Sequence, residues 1–495
     1  MAHPESKPES GPESELPRNA STPPPLPPAG DERSTGRPPA IPTPPAGTAA
    51  DGRSAGLRIL VSWILILSLA VGWVFLSNIR HPDEAVSGPS RVSMISEIGG
   101  RLMHNLIEWL GTTEDRENVV AMTIDGSDPG DAAPWIDQVA FAILQADLDK
   151  PSRGLAKLQE IGLPDGASDA DATLFATVRD ALEQWERGEA RPALPEAEAA
   201  RLGWFGHVLD GTVPPSNLAV LLVMAFAWYA AFVVVGVVLL VTLVVLIFLG
   251  KVKPQVAVTG HSAIYAETFA LWFLCFLSFQ LAVGVIVQLT GLEGWIMVGA
   301  LVAMFGSLAA LAWPVLRGMS WRDVRRDIGL HTGRGVLIEC AFGPLTYAVA
   351  LPLMFVGLVL FSILKKLSED AAQPSHPVFE ELGGGIQAVI PVYLLACVAA
   401  PIVEEIAFRG ILYRHLRESG RVIGTALSVL VAMLVSSVLF AGIHPQGLLF
   451  IPVLGGLATG FCIAREFRGS LLPGMVAHAI TNFVTVSLGV ALAHG

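Results

Sequence analysis

The sequence predicts an all-α protein, a polytopic bundle of about eight or nine transmembrane helices with a small helical extramembrane domain. Of its 495 residues, 52% are hydrophobic and only 15% are charged, whereas about a quarter of residues are charged in soluble proteins. The apolar residues occur in runs of about twenty rather than in short alternating segments, which favours helices over a barrel. Unpaired peptide groups are costly in hydrocarbon, so each run is expected to close its own hydrogen bonds as a helix.

Residues 1–55 precede the first apolar run and contain 14 of the 35 prolines. This composition buries too little apolar surface to offset the entropy of ordering, so we expect a disordered, proline-rich tail. The first transmembrane helix is predicted over residues 56–80. Arg53 and Arg58 precede its apolar run, Ile59–Leu76, which favours a cytoplasmic N-terminus.

An acidic segment follows, predicted to form a helical extracytoplasmic domain over residues 81–215. Residues 81–210 contain 24 Asp and Glu against 10 Lys and Arg, so this segment accounts for the chain's net charge of −12. The rest of the chain is nearly neutral, which makes nucleic acid an unfavourable partner. The acidic domain is a candidate for binding a protein partner or a substrate outside the membrane.

The chain then returns through a second transmembrane helix and loop, residues 216–260, to the remaining spans in residues 261–495. Positive residues follow alternate spans, which favours a cytoplasmic position for those loops. They include Lys251, Lys253, Arg317, Arg322, Arg325, Arg326 and Arg334. Arg414, Arg417 and Arg421 are predicted to lie in another cytoplasmic loop.

Two adjacent glutamates lie in the apolar stretch "PIVEEIAFRGILYRHL", residues 401–416. A carboxylate inside a membrane costs several kcal/mol, so such a residue indicates a functional site, unless both glutamates sit at the water interface and pair with arginines. Glu405 and Arg409 are spaced i,i+4 in the order that favours a helical ion pair. Glu404 points about 100° away from Glu405, which leaves it free to act as a general base.

Two further polar groups lie in apolar helices nearer the C-terminus. His444 ends the apolar run in "SSVLFAGIHPQG", and it can reach the depth of Glu404 if the two helices form a hairpin. His478 and Asn482, in "PGMVAHAITN", project from one helix face and could donate hydrogen bonds to a developing oxyanion. The alternatives are a structural histidine for His444 and an interhelical polar contact for the second pair.

The segments "EEIAFR", "FAGIH" and "HAITN" resemble, in order, the EExxxR, FxxxH and HxxxN motifs of the CPBP intramembrane proteases. This family is named after CAAX prenyl endopeptidases and bacteriocin-processing proteins, and is also called Abi. The resemblance implies a CPBP-like domain over residues 261–495. The tail and the acidic domain are additions that it does not cover, and they favour a bacterial protein of the plasma membrane.

The resemblance implies an intramembrane endopeptidase that hydrolyses peptide bonds of a membrane-associated or C-terminally modified protein. Glu404 and His444 would activate the attacking water, His478 and Asn482 would stabilise the oxyanion, and Glu405 with Arg409 would support the site. The family is often labelled metalloprotease, and Glu404, His444 and His478 could ligate zinc. However, the chain has no HExxH motif, and a water activated directly by carboxylate and imidazole needs no ion. Metal dependence therefore stays open.

Two other readings of the sequence compete with a protease. One is a non-catalytic membrane scaffold or immunity-type protein of the same fold, which would not need Glu404, His444, His478 and Asn482 together. The other is a transporter that uses Glu404 and His444 as a proton relay. Inverted repeats would favour a transporter, but the two halves of the chain show no convincing correspondence. The expected partners are the lipid bilayer and a peptide or protein substrate at the membrane.

Overall fold

The computed structural model describes residues 49–79, 94–110, 133–164, 166–213, 218–367 and 385–494, and the single residues 92, 120, 124 and 128. The bundle with its candidate site lies in the unit Arg53–Gly495. The predicted tail lies outside the described residues up to residue 48. From Ala49 the chain is helical, so residues 49–55 extend the first helix rather than the tail.

Helices are the only regular elements of the described residues, which confirms the all-α prediction. In chain order they are α1 (Ala49–Ile79), α2 (Met94–Leu110), α3 (Trp135–Leu148), α4 (Pro151–Ile161), α5 (Asp169–Glu186), α6 (Glu196–Leu202), α7 (Trp204–Asp210), α8 (Leu218–Phe248), α9 (Ser262–Thr290), α10 (Ile296–Ser307), α11 (Ala312–Leu316), α12 (Trp321–Ile328), α13 (Val336–Leu367), α14 (Gly385–Leu394), α15 (Ala400–Glu404), α16 (Tyr413–Ser419), α17 (Thr425–Gly442), α18 (Ile451–Arg468) and α19 (Leu472–His494).

Nine segments within the described residues are long and apolar enough to cross a membrane, which confirms the predicted number of spans. They are Ser54–Val74, Val223–Phe248, Ser262–Thr290, Ile296–Leu316, Val336–Leu367, Val389–Ile423, Thr425–Gly442, Leu448–Arg468 and Leu472–Ala491. The chain is therefore an integral, multi-pass membrane protein.

Helices α2 to α7 form a separate apolar core between the first two spans. Phe141, Leu174, Leu182 and Phe205 are among its buried side chains. Ser168 begins α5 with a reciprocal capping box, in which its hydroxyl and the Asp171 carboxylate each accept a backbone N–H. The helical content predicted for this segment is present, while its boundaries and its position outside the cytoplasm stay predictions.

Aromatic packing fixes the helices around the glutamates. Phe408 contacts the rings of Phe269 and Trp272 on α9 edge-on, with centroids 5.4 and 5.6 Å apart. On its other side it contacts Phe440 of α17 in the same way at 5.2 Å. Edge-to-face contacts are a favoured geometry for aromatic pairs, so Phe408 holds the glutamate-bearing segment between two spans.

Helices α13 and α18 approach closely because small residues line their contact. A Cβ atom on Gly460 would lie 2.4 Å from the Cβ of Ala350, and one on Gly456 would lie 2.3 Å from the carbonyl oxygen of Leu353. Small residues let membrane helices pack backbone against backbone, where dispersion rather than water exclusion drives association. This contact positions α18, which carries Phe461, behind the glutamates.

A cluster of buried ion pairs closes the end of the bundle where α16 and α18 meet. Arg417 donates to both carboxylate oxygens of Glu466, at 3.0 and 3.1 Å, and Arg414 pairs with Glu418 at 3.0 Å. All four side chains are buried. The sequence interpretation placed Arg414 and Arg417 in a cytoplasmic loop, whereas both lie in helix α16. It missed their burial because the charges that pair with them in space were not considered.

Candidate active site

The segment that carries Glu404 is an irregular helix with two wide turns. Between α14 and α15 the residues Leu395–Ala399 form a π-helical turn, in which the Ala400 N–H donates to the carbonyl of Leu395. By the same register the Ala396 carbonyl should pair with residue 401, but Pro401 has no N–H. Asn482 supplies the missing donor, and its Nδ2 lies 2.6 Å from the Ala396 oxygen.

A second π-helical stretch, Glu405–Leu412, begins directly after Glu404. Wide turns of this kind are rare, and they often occur at functional sites. The two stretches enclose α15, so Glu404 ends a single regular turn between two irregular ones. This local geometry directs Glu404 and Glu405 into different surroundings.

Glu404 lies close to two histidines that come from two other spans. Its Oε2 is 4.0 Å from Nε2 of His444 and 3.8 Å from Nε2 of His478. The three side chains are only 15%, 18% and 6% exposed, respectively. Within the described residues, Oε2 of Glu404 is buried and has no hydrogen-bond partner. The structure thus brings together three of the four residues for which the sequence predicts a catalytic role.

Each histidine is oriented through its other ring nitrogen. Nδ1 of His444 donates to the carbonyl oxygen of Phe440 at 2.6 Å, so its neutral ring presents Nε2 as an acceptor towards Glu404. Nδ1 of His478 lies 3.3 Å from Oε1 of Glu405 and donates to this carboxylate. Such contacts fix the tautomer and the direction of an imidazole.

Glu405 and Arg409 form the ion pair that their spacing predicts. Nη1 of Arg409 lies 2.9 Å from Oε1 of Glu405, and both side chains are almost completely buried. The Arg409 guanidinium also lies over the rings of Phe440 and Phe461, 4.3 and 5.2 Å from their centroids. Arginine suits such a position because its planar charge can stack on aromatic faces. Arg409 and His478 thus both contact the same oxygen of Glu405, Oε1.

Gly474 makes room for the Glu405 carboxylate. The sequence interpretation did not identify this glycine. A Cβ atom at this position would lie 2.7 Å from Oε2 of Glu405. Gly474 precedes His478 by four residues, so it faces the same side of α19 one turn away. A glycine one turn before the predicted site histidine, in an apolar helix, was the signal that could have revealed it.

The comparison with protein families concerns this part of the chain. Residues 386–484 match the family model described as type II CAAX prenyl endopeptidase Rce1-like. Residues 386–484 are thus similar to an Rce1-like domain. The match confirms the resemblance to the CPBP family, and it contains Glu404, Glu405, Arg409, His444, His478 and Asn482. No curated protein and no solved structure matches the chain.

The matched Rce1-like residues begin at 386, well after the boundary at residue 261 that the resemblance implied. The helices α9 to α13 nevertheless pack around the matched part, since Phe269 and Trp272 of α9 contact Phe408. The first two spans and the helices α2 to α7 also lie outside the match. The matched residues thus contain the candidate site, and the remainder of the chain lies outside the match.

The side chains of the Rce1-like domain offer donor atoms for a metal but do not surround a common point. In the part of the chain that the structure describes, no group of three or more His, Cys, Asp or Glu side chains is arranged to hold a metal ion. Nδ1 of His444 and of His478 is directed to a protein acceptor, and their Nε2 atoms are 3.8–4.0 Å from Glu404. The arrangement of Glu404, His444 and His478 therefore does not fit a preformed zinc site.

Two acceptors 4.0 Å apart can both accept from the two O–H groups of one water molecule. Glu404 and His444 form such a pair in the Rce1-like domain, and Nε2 of His478 lies 3.8 Å from the same carboxylate oxygen. The predicted fourth member, Asn482, directs one amide N–H to the Ala396 carbonyl. An asparagine amide has two N–H donors, so a second one stays available for an oxyanion.

Proposed function

We propose that this protein is an intramembrane endopeptidase that hydrolyses a peptide bond of a membrane-associated or C-terminally modified protein. The observation that carries the proposal is the position of Glu404. Its Oε2 is buried without a hydrogen-bond partner in the described residues, and the Nε2 atoms of His444 and His478 lie 4.0 and 3.8 Å away. A carboxylate is held in this costly position only if it serves a function.

In the proposed first step, one water molecule donates its two O–H groups to Glu404 and His444. The water oxygen forms a bond to the scissile carbonyl carbon while Glu404 takes the proton. General base catalysis of this kind contributes about 10²- to 10⁴-fold in rate. The orientation of His444 by the Phe440 carbonyl supports this role, because it leaves Nε2 as an acceptor.

In the second step, the oxyanion of the tetrahedral intermediate accepts hydrogen bonds from His478 and Asn482. His478 would donate from Nε2, since its Nδ1 is directed to Glu405. The carbon–nitrogen bond then breaks, and the proton held by Glu404 passes to the leaving amine. Glu405 and Arg409 do not react; they hold His478 and the surrounding rings in place.

The depth of the site indicates the class of substrate. Glu404 lies within the candidate span Val389–Ile423 and His478 within Leu472–Ala491, so the scissile bond must enter the membrane region to meet them. A peptide with an apolar segment or a lipid modification can do so at low cost. The name of the matched family, CAAX prenyl endopeptidase, supports a prenylated C-terminus as one such substrate.

The same proposal places the N-terminus in the cytoplasm of a bacterium and the acidic helical domain outside the plasma membrane. The arginines before the first span support this orientation. The acidic domain would bind a protein partner or present the substrate. Unchanged cleavage of the native substrate after deletion of residues 81–215 would exclude this role.

The test is cleavage of a library of membrane-protein peptides, some of them prenylated, by the purified full-length protein in lipid nanodiscs. Glu404→Gln removes the base while keeping the size of the side chain. Glu160→Gln makes the same change on an exposed carboxylate of α4 and serves as the matched control. We expect cleavage by wild type and Glu160→Gln, and at least about a hundredfold lower kcat for Glu404→Gln.

Parallel reactions contain a strong chelator, with and without added zinc. Cleavage that survives the chelator supports direct activation of water by Glu404 and His444. If the chelator abolishes cleavage and added zinc restores it, a metal ion takes part in activating the water. Equal cleavage by Glu404→Gln and wild type would remove Glu404 from the mechanism, and no cleavage by any variant would favour a non-catalytic scaffold.

A further inference from the structure

Helix α1, which lies outside the Rce1-like match, contacts the bundle along one stripe of its surface. Trp63, Ile66 and Trp73 lie on this stripe. They are three and seven residues apart, which corresponds to about one and two helical turns. Ile66 is 1% exposed, while Ile64 and Val71, which face away from the stripe, are 57% and 69% exposed. The first span is therefore docked on the bundle through specific side chains.

Trp73 contacts the backbone directly before His444, a residue of the candidate active site. Its indole Nε1–H donates to the carbonyl oxygen of Ile443 at 2.7 Å. Ile443 directly follows α17, so its carbonyl cannot accept the hydrogen bond that a continuing helix would supply. His444 is the next residue, and Pro445 after it has no N–H to offer. An indole from a distant part of the sequence satisfies this carbonyl instead.

His444 is thus held at two points. Its ring is held by the Phe440 carbonyl, at 2.6 Å from Nδ1. The backbone just before it is held by Trp73. Together these contacts set the position of Nε2 opposite Glu404. Because catalysis is sensitive to displacements of about 1 Å, a loose connection between α17 and the following turn would separate His444 from Glu404.

We propose that Trp73 is a positioning residue for His444, so that the first span completes a site whose reacting groups all lie in the Rce1-like domain. This inference rests on the proposed function for its kinetic consequence. Its structural part, a fixed position of His444, does not depend on that function. Trp73 does not touch Glu404 and acts only through the backbone of Ile443.

The chain offers a matched control on the same helix. Nε1 of Trp63 lies 2.9 Å from Nε2 of His415, and Nδ1 of His415 lies 2.9 Å from Oγ of Ser262. In the described residues, none of these contacts reaches Glu404 or His444. Replacement of either tryptophan by phenylalanine removes one indole N–H and keeps an aromatic ring on α1.

The first experiment compares the kinetics of Trp73→Phe and Trp63→Phe in the purified full-length protein. We expect kcat of Trp73→Phe to fall about tenfold, as for the loss of one hydrogen bond, with KM within about twofold of wild type. Trp63→Phe should keep both parameters within about twofold. In a His444→Ala background, Trp73→Phe should have no further effect on the residual rate, because both changes act on one group.

The second experiment needs no activity. The rate at which diethyl pyrocarbonate modifies His444 is measured by mass spectrometry of the full-length protein, and we expect it to rise several-fold in Trp73→Phe and to stay unchanged in Trp63→Phe. Equal modification rates in the two variants, or an undiminished effect of Trp73→Phe in the His444→Ala background, would overturn the positioning role. Absence of cleavage by the wild-type protein would instead count against the proposed function alone.

Discussion

Glu405 and Arg409 form a salt bridge of 2.9 Å in which neither side chain is more than 1% exposed. Arg409 Nη2 also lies 3.3 Å from the carbonyl oxygen of Ala458. A buried ion pair costs much desolvation free energy, and it is worth less for stability than its geometry suggests. Removal of one partner, however, leaves a buried charge without compensation.

Glu405→Gln should therefore lower the free energy of unfolding by about 3–5 kcal/mol, and Arg409→Met by a similar amount. The double variant Glu405→Leu/Arg409→Met, which replaces the pair by apolar side chains of comparable size, should lose clearly less than the sum of the two. The measurement is denaturant unfolding of the full-length protein in detergent micelles. Additive losses would show that the two side chains stabilise the fold independently.

The double variant Glu405→Leu/Arg409→Met should separate the catalytic role of Glu405 from its role in stability. The double variant leaves Nδ1 of His478 without the Glu405 carboxylate that now orients it, at 3.3 Å. We expect it to fold and to cleave substrate at least about tenfold more slowly than wild type, because a misplacement of a reacting group by about 1 Å can cost that much or more in rate. Wild-type kcat in a folded double variant would contradict the role of Glu405 in holding His478.

Gly474 gives a test of the space around the same carboxylate. A methyl group here would lie 2.7 Å from Oε2 of Glu405. Glu405 cannot easily move away, since Arg409 and His478 hold its other oxygen. Gly474→Ala should thus lower both stability and kcat, although alanine is the better helix former by about 1 kcal/mol.

The matched control for Gly474 is Gly284 in α9, where an added Cβ meets nothing within 4 Å. Gly284→Ala should be neutral or slightly stabilising in the same assays. Unfolding in detergent and the rate of peptide cleavage check both variants. If the two changes behave alike, the contact between position 474 and Glu405 does not limit the site.

Asn482 is expected to combine a structural and a catalytic role, and Pro401 allows the two to be separated. Asn482→Ala loses the donor for the Ala396 carbonyl as well as the second N–H proposed for the oxyanion. Adding Pro401→Ala supplies a backbone N–H at the position whose π-helical partner is that carbonyl. The double variant should regain stability relative to Asn482→Ala.

Activity should not return with that stability. Loss of one oxyanion donor typically lowers kcat by about 10²- to 10³-fold, and the backbone N–H of residue 401 cannot replace it at the oxyanion. We therefore expect Asn482→Ala and the double variant to share a low kcat while differing in unfolding free energy. Recovery of kcat together with stability would assign Asn482 a structural role only.

The sequence predicts the features of this protein that depend on neighbouring residues. Runs of apolar residues locate the nine spans of the described chain, since each run must pair its own backbone groups. The Glu405–Arg409 pair follows from its i,i+4 spacing, and it survives the π-helical stretch that contains it. The motif residues Glu404, His444 and His478 meet as the resemblance implied.

Contacts between distant segments could not be predicted in the same way. Asn482 bonds to the carbonyl of Ala396, which is 86 residues earlier in the chain. This carbonyl lacks a backbone partner because of Pro401, and recognising that requires the helix register to be known. The Arg417–Glu466 pair spans 49 residues, so a count of positive charges along the chain assigns Arg417 to a loop. Trp73 and Ile443 are 370 residues apart, and neither residue type indicates a site by itself.

The helical domain between the first two spans carries a pH-dependent contact. Nδ1 of His104 on α2 lies 2.5 Å from Oδ2 of Asp147 on α3. The hydrogen bond to Asp147 raises the pKa of His104 above its ordinary value of 6.5, although burial acts in the opposite direction. A histidine with a raised pKa in the folded state stabilises the fold fully below its unfolded pKa, and this contribution is lost as pH rises through the folded pKa.

Amide hydrogen exchange of the full-length protein, followed for peptides of α2 and α3 between about pH 5.5 and pH 8, measures this effect. Each variant is compared with wild type at the same pH, which cancels the intrinsic pH dependence of exchange. Wild type should be better protected than His104→Gln at the acidic end, and this difference should shrink as pH rises. His207→Gln, at an exposed histidine of α7 that bonds to Thr212, should match wild type throughout. A difference for His104→Gln that stays constant or grows with pH would show that the contact with Asp147 does not depend on a charged imidazole.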